Sequence, residues 1–141
     1  STEKMVEYFV EALTSRGIPV LPFNLTFSDI GELASSLVSS ATIVIGTPTV
    51  LAGPHPSVAA AAHLVNVLRP KTRFISVIGS YGWGGKTVDQ LAATLKDLKA
   101  VILPPVLTKG APKEETFRDL DRLAEEIALK HYEIKSSMTK E

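Results

Sequence analysis

Two apolar runs constrain this chain more than any other feature. ATIVIG at 41–46 and RFISVIG at 73–79 are short and dominated by Ile, Val and Phe. Runs of this kind read as strands buried on both faces, which occur in parallel sheets with helices on each side. The segments around them carry helical periodicity. In the first, Met5, Phe9, Ala12 and Leu13 share a face, while Glu3, Lys4, Glu7 and Glu11 lie largely elsewhere, and Gly17 ends it. Asp29 and Glu32 are spaced as a capping box for a helix reaching about Val38. Pro56 opens, and Pro70 closes, the helix PSVAAAAHLVNVLR. Thr87 and Gln90 cap a helix through Leu98. Pro112 opens a last helix whose buried stripe is Phe117, Leu120, Ala124, Ile127 and Ala128.

Two weaker strands complete the pattern. IPVLPF at 18–23 reads as an edge strand, because Pro19 would forfeit a donor at the centre of a sheet. AVILPPV at 100–106 reads as the last strand. The order α-β-α-β-α-β-α-β-α predicts an α/β fold, a doubly wound parallel sheet in a three-layer α/β/α arrangement. The domain spans residues 1–132, and the polar segment 133–141 reads as a frayed tail. The chain opens directly on a helix, whereas such domains begin with a strand, so either this domain uses four strands or, the favoured reading, further sequence is expected before Ser1.

Composition removes several function classes. Fifteen Lys and Arg balance fifteen Asp and Glu, so no broad positive field favours nucleic acid or an anionic membrane. With no cysteine, neither a disulfide nor a thiolate metal site can form. No apolar run reaches transmembrane length and residues 1–15 do not read as a secretory signal, so a cytoplasmic location is expected.

Ligands of open α/β sheets bind beyond the carboxyl ends of the strands. Three segments fall there. Ser1 and Thr2 stand at a helix start, which suits an anion but equally describes an ordinary N-cap. GTPTVLAGPHP at 46–56 is longer than the usual connection of about two to six residues. It offers the Thr47 and Thr49 hydroxyls on a chain stiffened by Pro48, Pro54 and Pro56, with Val50 and Leu51 free to lean on a flat ring. GSYGWGGK at 79–86 holds four glycines within 79–85, and Tyr81 and the single tryptophan, Trp83, sit among them. Such a loop approaches a ligand closely and stacks on a planar one, unless Trp83 merely anchors it from beneath. Neither GxxxxGK[ST] nor GxGxxG is present. His55, His63 and His131 show no metal-ligand spacing.

STEKM, GTPTVLAGPHPSV and GSYGWGG, in this order, resemble the flavodoxin-like domain of A-type flavoproteins, the flavodiiron family. RPK at 69–71 and KGAPKEE at 109–115 are similar in position, and the resemblance covers roughly residues 1–130. It implies a flavodoxin-like fold and one FMN. Ser1 and Thr2 would bind the phosphate. Thr47, Pro48, Thr49, Val50, Leu51 and Gly53 would border the ring and ribityl chain, and Ser80, Tyr81, Gly82, Trp83 and Gly84 would enclose its other side. Where many relatives carry asparagines, this chain has Leu51 and Ala52, which leaves fewer side-chain donors. The family's first strand and its diiron domain do not appear in the sequence.

The resemblance therefore implies electron transfer with no catalytic residue and no metal on this chain. A redox donor protein or reduced cofactor would supply electrons. The acceptor would be a diiron centre of the facing subunit in a homodimer, for oxygen or nitric oxide reduction. The alternative is an independent NAD(P)H-dependent FMN or quinone reductase. A receiver-type domain would need an acidic cluster that this chain lacks.

Overall fold

Strand pairing in the computed structural model is parallel throughout the main sheet. The structure describes residues 2–24, 30–46, 49–50, 53–54, 60, 63, 72–81, 93 and 100–139. Its elements are α1 (Thr2–Ser15), α2 (Ile30–Ser39), β1 (Thr42–Gly46), β2 (Thr49–Val50), β3 (Gly53–Pro54), β4 (Phe74–Tyr81), β5 (Val101–Ile102), β6 (Val106–Lys109) and α3 (Glu114–Thr139). The strand β4 is central. On one side it pairs with β1, from Thr42↔Phe74 to Gly46↔Ile78. On the other it pairs with β5 near its start and with β6 from Ile78↔Val106 to Tyr81↔Lys109.

The expected single strand AVILPPV is thus two pieces, and the second runs on to Lys109. Pro104 and Pro105 have no N–H to give the ladder, so pairing lapses between them. Buried Ser76 bridges the gap, its Oγ lying 3.4 Å from Leu103 O and 3.3 Å from Pro104 O. A second correction concerns residues 18–23, which form no strand. Pro19 and Pro22 remove two of the six donors, and Leu21 lies exposed. The third is β1. Expected to be buried on both faces, it is half-buried along its length, and among the described strands only β4 pairs with it.

Helices α1 and α3 cover one face of the sheet. Met5, Phe9, Ala12 and Leu13 are all buried, as the periodicity requires, against Leu120, Leu123, Ala124, Ile127 and Ala128 and the sheet residues Ile78 and Val106. Phe117 is half-buried at the margin of this core, packed on Tyr8 with ring centroids 4.8 Å apart. Tyr8 Oη also donates to Asp121 Oδ2 at 2.8 Å, tying the two helices together.

The helix ends follow from local chemistry. Gly17, at φ 77°, closes α1 in a Schellman turn: its N–H donates to Thr14 O at 3.0 Å, and Ile18 N–H donates to Leu13 O at 3.1 Å. Ile18 and Leu13 then both enter the core. At the start of α3, Lys113 N–H donates to Thr116 Oγ1, so Lys113 is the cap and Pro112 lies just outside. The helix continues to Thr139 rather than fraying after Tyr132, because no Gly or Pro interrupts 113–139. Tyr132 Oη donates to Arg16 O at 3.0 Å and pins this helix to the end of α1. Asp29 and the expected helices at 56–69 and 87–98 lie outside the described residues, except that Ala60, His63 and Ala93 have helical backbone.

Two measurements test this account. Gly17→Ala forces an L side chain into the left-handed region, 3.4 Å from Tyr132 Oη, and is expected to cost about 1–2 kcal/mol in urea unfolding. His131 Nε2 lies 2.6 Å from Thr42 Oγ1, and burial pushes its imidazole below the ordinary value of about 6.5. The unfolded chain then binds the proton more readily. Stability contributed by neutral His131 is present above about pH 6.5 and is lost as pH falls toward the lower folded value. In His131→Gln, urea midpoints measured from pH 7.5 to 5 should lose that part of their slope.

Candidate functional site

Because β1 and β4 are parallel, their carboxyl ends finish on the same edge. Gly46 stands opposite Ile78, and β4 continues past it to Ser80 and Tyr81. The first turn of α1 comes to the same edge, where Thr2 Oγ1 lies 2.8 Å from Ser80 Oγ and either hydroxyl can donate. The first N–H groups of a helix have no intrahelical acceptor, so this junction offers backbone donors beside two hydroxyls.

Gly46 permits that approach. A Cβ built there would fall 2.7 Å from Val6 Cγ2 and 4.0 Å from Thr2 Cγ2. No positive φ demands glycine at this position, so the reason for it is space.

After Gly46 the chain makes a small antiparallel hairpin, pairing Thr49 with Pro54 and Val50 with Gly53. The segment expected as a stiff loop is therefore partly a ribbon, and β2 lies against β4. Thr2, Thr49, Val50, Gly53, Ser80 and Tyr81 all belong to elements gathered at or beside β4. Ser1, Thr47, Pro48, Leu51, Gly82, Trp83, Gly84 and His55 lie outside the described residues. His63 is exposed, and His131 sits by Thr42 at the amino end of β1, away from this edge. Among the described residues, no group of three or more His, Cys, Asp or Glu could hold a metal ion.

The sequence reading missed the pairing of Gly46 with Val6. The available signal was a glycine ending an otherwise β-branched run, which marks a close backbone approach.

A phosphate-bearing cofactor is bound by helix-start N–H donors and hydroxyls, and this junction brings both to one edge. Parallel strands with a helix start at their carboxyl edge are the ligand-binding arrangement of an open α/β domain. The comparisons with known proteins agree, although no family model matches the chain. It is 28% identical over 130 residues to a nitric oxide reductase of Moorella thermoacetica, covering 91% of this chain and 33% of that protein. The structure of rubredoxin:oxygen oxidoreductase from Desulfovibrio gigas superposes with a TM-score of 0.84 at 27% identity, over 91% of this chain and 32% of that one. A flavodiiron core from Synechocystis gives 0.85 at 21% identity, covering 94% and 33%. A flavodoxin-like domain from Synechococcus gives 0.74 at 21%, covering 93% and 90%.

The solved neighbours give the chain a flavodoxin-like fold, its curated relatives include flavodiiron proteins, and it spans about a third of the length of the curated relatives it matches. Domains of this class take FMN as cofactor.

Removing either hydroxyl of the Thr2–Ser80 pair deletes the same hydrogen bond. Thr2→Val should cost about 1 kcal/mol in urea unfolding in the parent and little in a Ser80→Ala background.

Proposed function

We propose that this chain binds one FMN at the carboxyl edge of its sheet and serves as the electron-transfer domain of an oxidoreductase. The observation that carries the reading is the Thr2–Ser80 pair, which joins a helix start to the end of the central strand. When bound, FMN supplies a ring that takes up and gives back one or two electrons. The chain's own residues have a different task. Ser1, Thr2 and the first N–H groups of α1 hold the phosphate. Thr47, Pro48, Thr49, Val50, Leu51 and Gly53 border one side of the ring and its ribityl chain. Ser80, Tyr81, Gly82, Trp83 and Gly84 enclose the other and exclude water. No residue need act as general acid or base.

In the finer reading, electrons arrive from a redox donor protein or a reduced cofactor. They leave for a diiron centre on the facing subunit of a homodimer, which reduces oxygen or nitric oxide. Relatives named nitric oxide reductase and rubredoxin-oxygen oxidoreductase support it. The working domain in this reading is 1–132, in the cytoplasm. The zero formal net charge argues against nucleic acid as a partner. No helix among the described residues is long and apolar enough to cross a membrane.

The test is gel filtration of the purified chain after incubation with FMN, read by visible absorption. Retained bands near about 370 and 450 nm are expected for the bound oxidised flavin. Flavin that elutes wholly with the small molecules would sink the proposal. Oxidation of NAD(P)H by the loaded chain with no added protein would instead favour the independent reductase.

A further inference from the structure

The geometry points to Gly46 as a positioning residue for the anion-binding end of α1, acting through Val6. This inference rests on the FMN reading above and deepens it. The helix start holds donors useful to a phosphate only if its first turn sits at the edge where β4 ends. What sets that seat is the space above Gly46. Val6 Cγ2 occupies it, so closely that a Cβ at 46 would come within 2.7 Å. Real Cβ contacts do not reach that distance, and the obstructing atom belongs to a β-branched side chain with few alternative rotamers.

The helix must therefore move if position 46 gains a methyl. Thr2 lies one turn before Val6, and its own Cγ2 is 4.0 Å from the same point. Ile78 closes the opposite side, its Cγ1 3.7 Å away, and is itself buried in the core. The sheet side thus resists displacement, and the shift falls on α1. A shift of a few tenths of an ångström or more at Val6 acts directly on the 2.8 Å contact between Thr2 and Ser80.

The role is distinct from that of an ordinary core residue. Gly46 contributes no side chain to packing and no unusual backbone angle. Its contribution is an absence, and so it can be compensated from the other side. Val6→Ala removes both valine methyls, including the one that a methyl at position 46 would meet. In the double variant the added methyl then fills part of the space they leave.

The experiment measures binding of FMN, riboflavin and inorganic phosphate to the full chain and to Gly46→Ala, Val6→Ala, the double variant and Ile127→Val. The last is a core change on α3 between the Tyr8–Asp121 and Arg16–Tyr132 hydrogen bonds, level with the later turns of α1, and lowers stability there. Gly46→Ala should weaken FMN at least about tenfold, the size of a lost charge-assisted hydrogen bond, and weaken inorganic phosphate in parallel. Riboflavin, which lacks the phosphate, should change less than about twofold. The double variant should recover FMN affinity to within about threefold of the parent, and Ile127→Val should retain it.

Unchanged FMN affinity in Gly46→Ala overturns the inference. So does equal loss of FMN and riboflavin, or a loss that Val6→Ala fails to relieve. If the parent chain retains no FMN, the proposed function fails, and the positioning role is judged on the apo chain. Thr2→Val and Ser80→Ala are then combined in a double-mutant cycle of unfolding, in the parent and in Gly46→Ala. Coupling that vanishes in Gly46→Ala and returns with Val6→Ala supports the role, and coupling that persists in Gly46→Ala refutes it.

Discussion

The seating of α1 on β1 and β4 is the contact from which the rest of this structure follows. Met5, Phe9, Ala12 and Leu13 drive that contact by burial, and α3 completes it alongside α1 on the same face of the sheet. Burial alone would allow the helix to slide or rotate on an apolar surface. Directional interactions remove that freedom: Tyr8 to Asp121, Tyr132 to Arg16 O, and the Schellman turn at Gly17. Each fixes an end or a flank of α1 in a position that the apolar core leaves open. At the remaining end, the close approach over Gly46 brings Thr2 to Ser80.

A cofactor edge of this kind has a simple physical logic. Parallel strands direct all their carboxyl ends to one side, where the chain must leave the sheet and has room for irregular segments. Helix starts reach the same side and carry unsatisfied donors. A domain that holds a phosphorylated planar cofactor therefore needs little beyond the right residues at the turns. The long β4 helps, since it outruns β1 and carries Ser80 and Tyr81 past the level of Gly46, with β6 supporting the overhang. The gap at Pro104 and Pro105 lets the support change from β5 to β6 partway along, with Ser76 near the carbonyls at the break.

Much of this was legible in the residues alone. The apolar runs identified β1 and β4, the periodicities identified α1 with all four of its buried residues and α3 with Leu120, Ala124, Ile127 and Ala128 but not Leu123 or Thr116, and Gly17 marked the end of α1. The misreadings share a cause. Whether IPVLPF pairs, where AVILPPV breaks, and how deeply ATIVIG is buried all depend on which neighbours reach each strand. The hairpin at Thr49–Val50 and Gly53–Pro54 had no period to betray it, since each arm is only two residues long.

By itself, the sequence determined the alternation of strands and helices, the buried stripes and the order of the ligand-edge segments, because these depend on side-chain chemistry at local spacings. Only the tertiary structure decided that Thr2 meets Ser80, seventy-eight positions later, and that Gly46 is there for Val6. Both contacts join distant parts of the chain through the angle and height at which a helix rests on a sheet. That geometry results from the whole packed core, and no local pattern of residues encodes it.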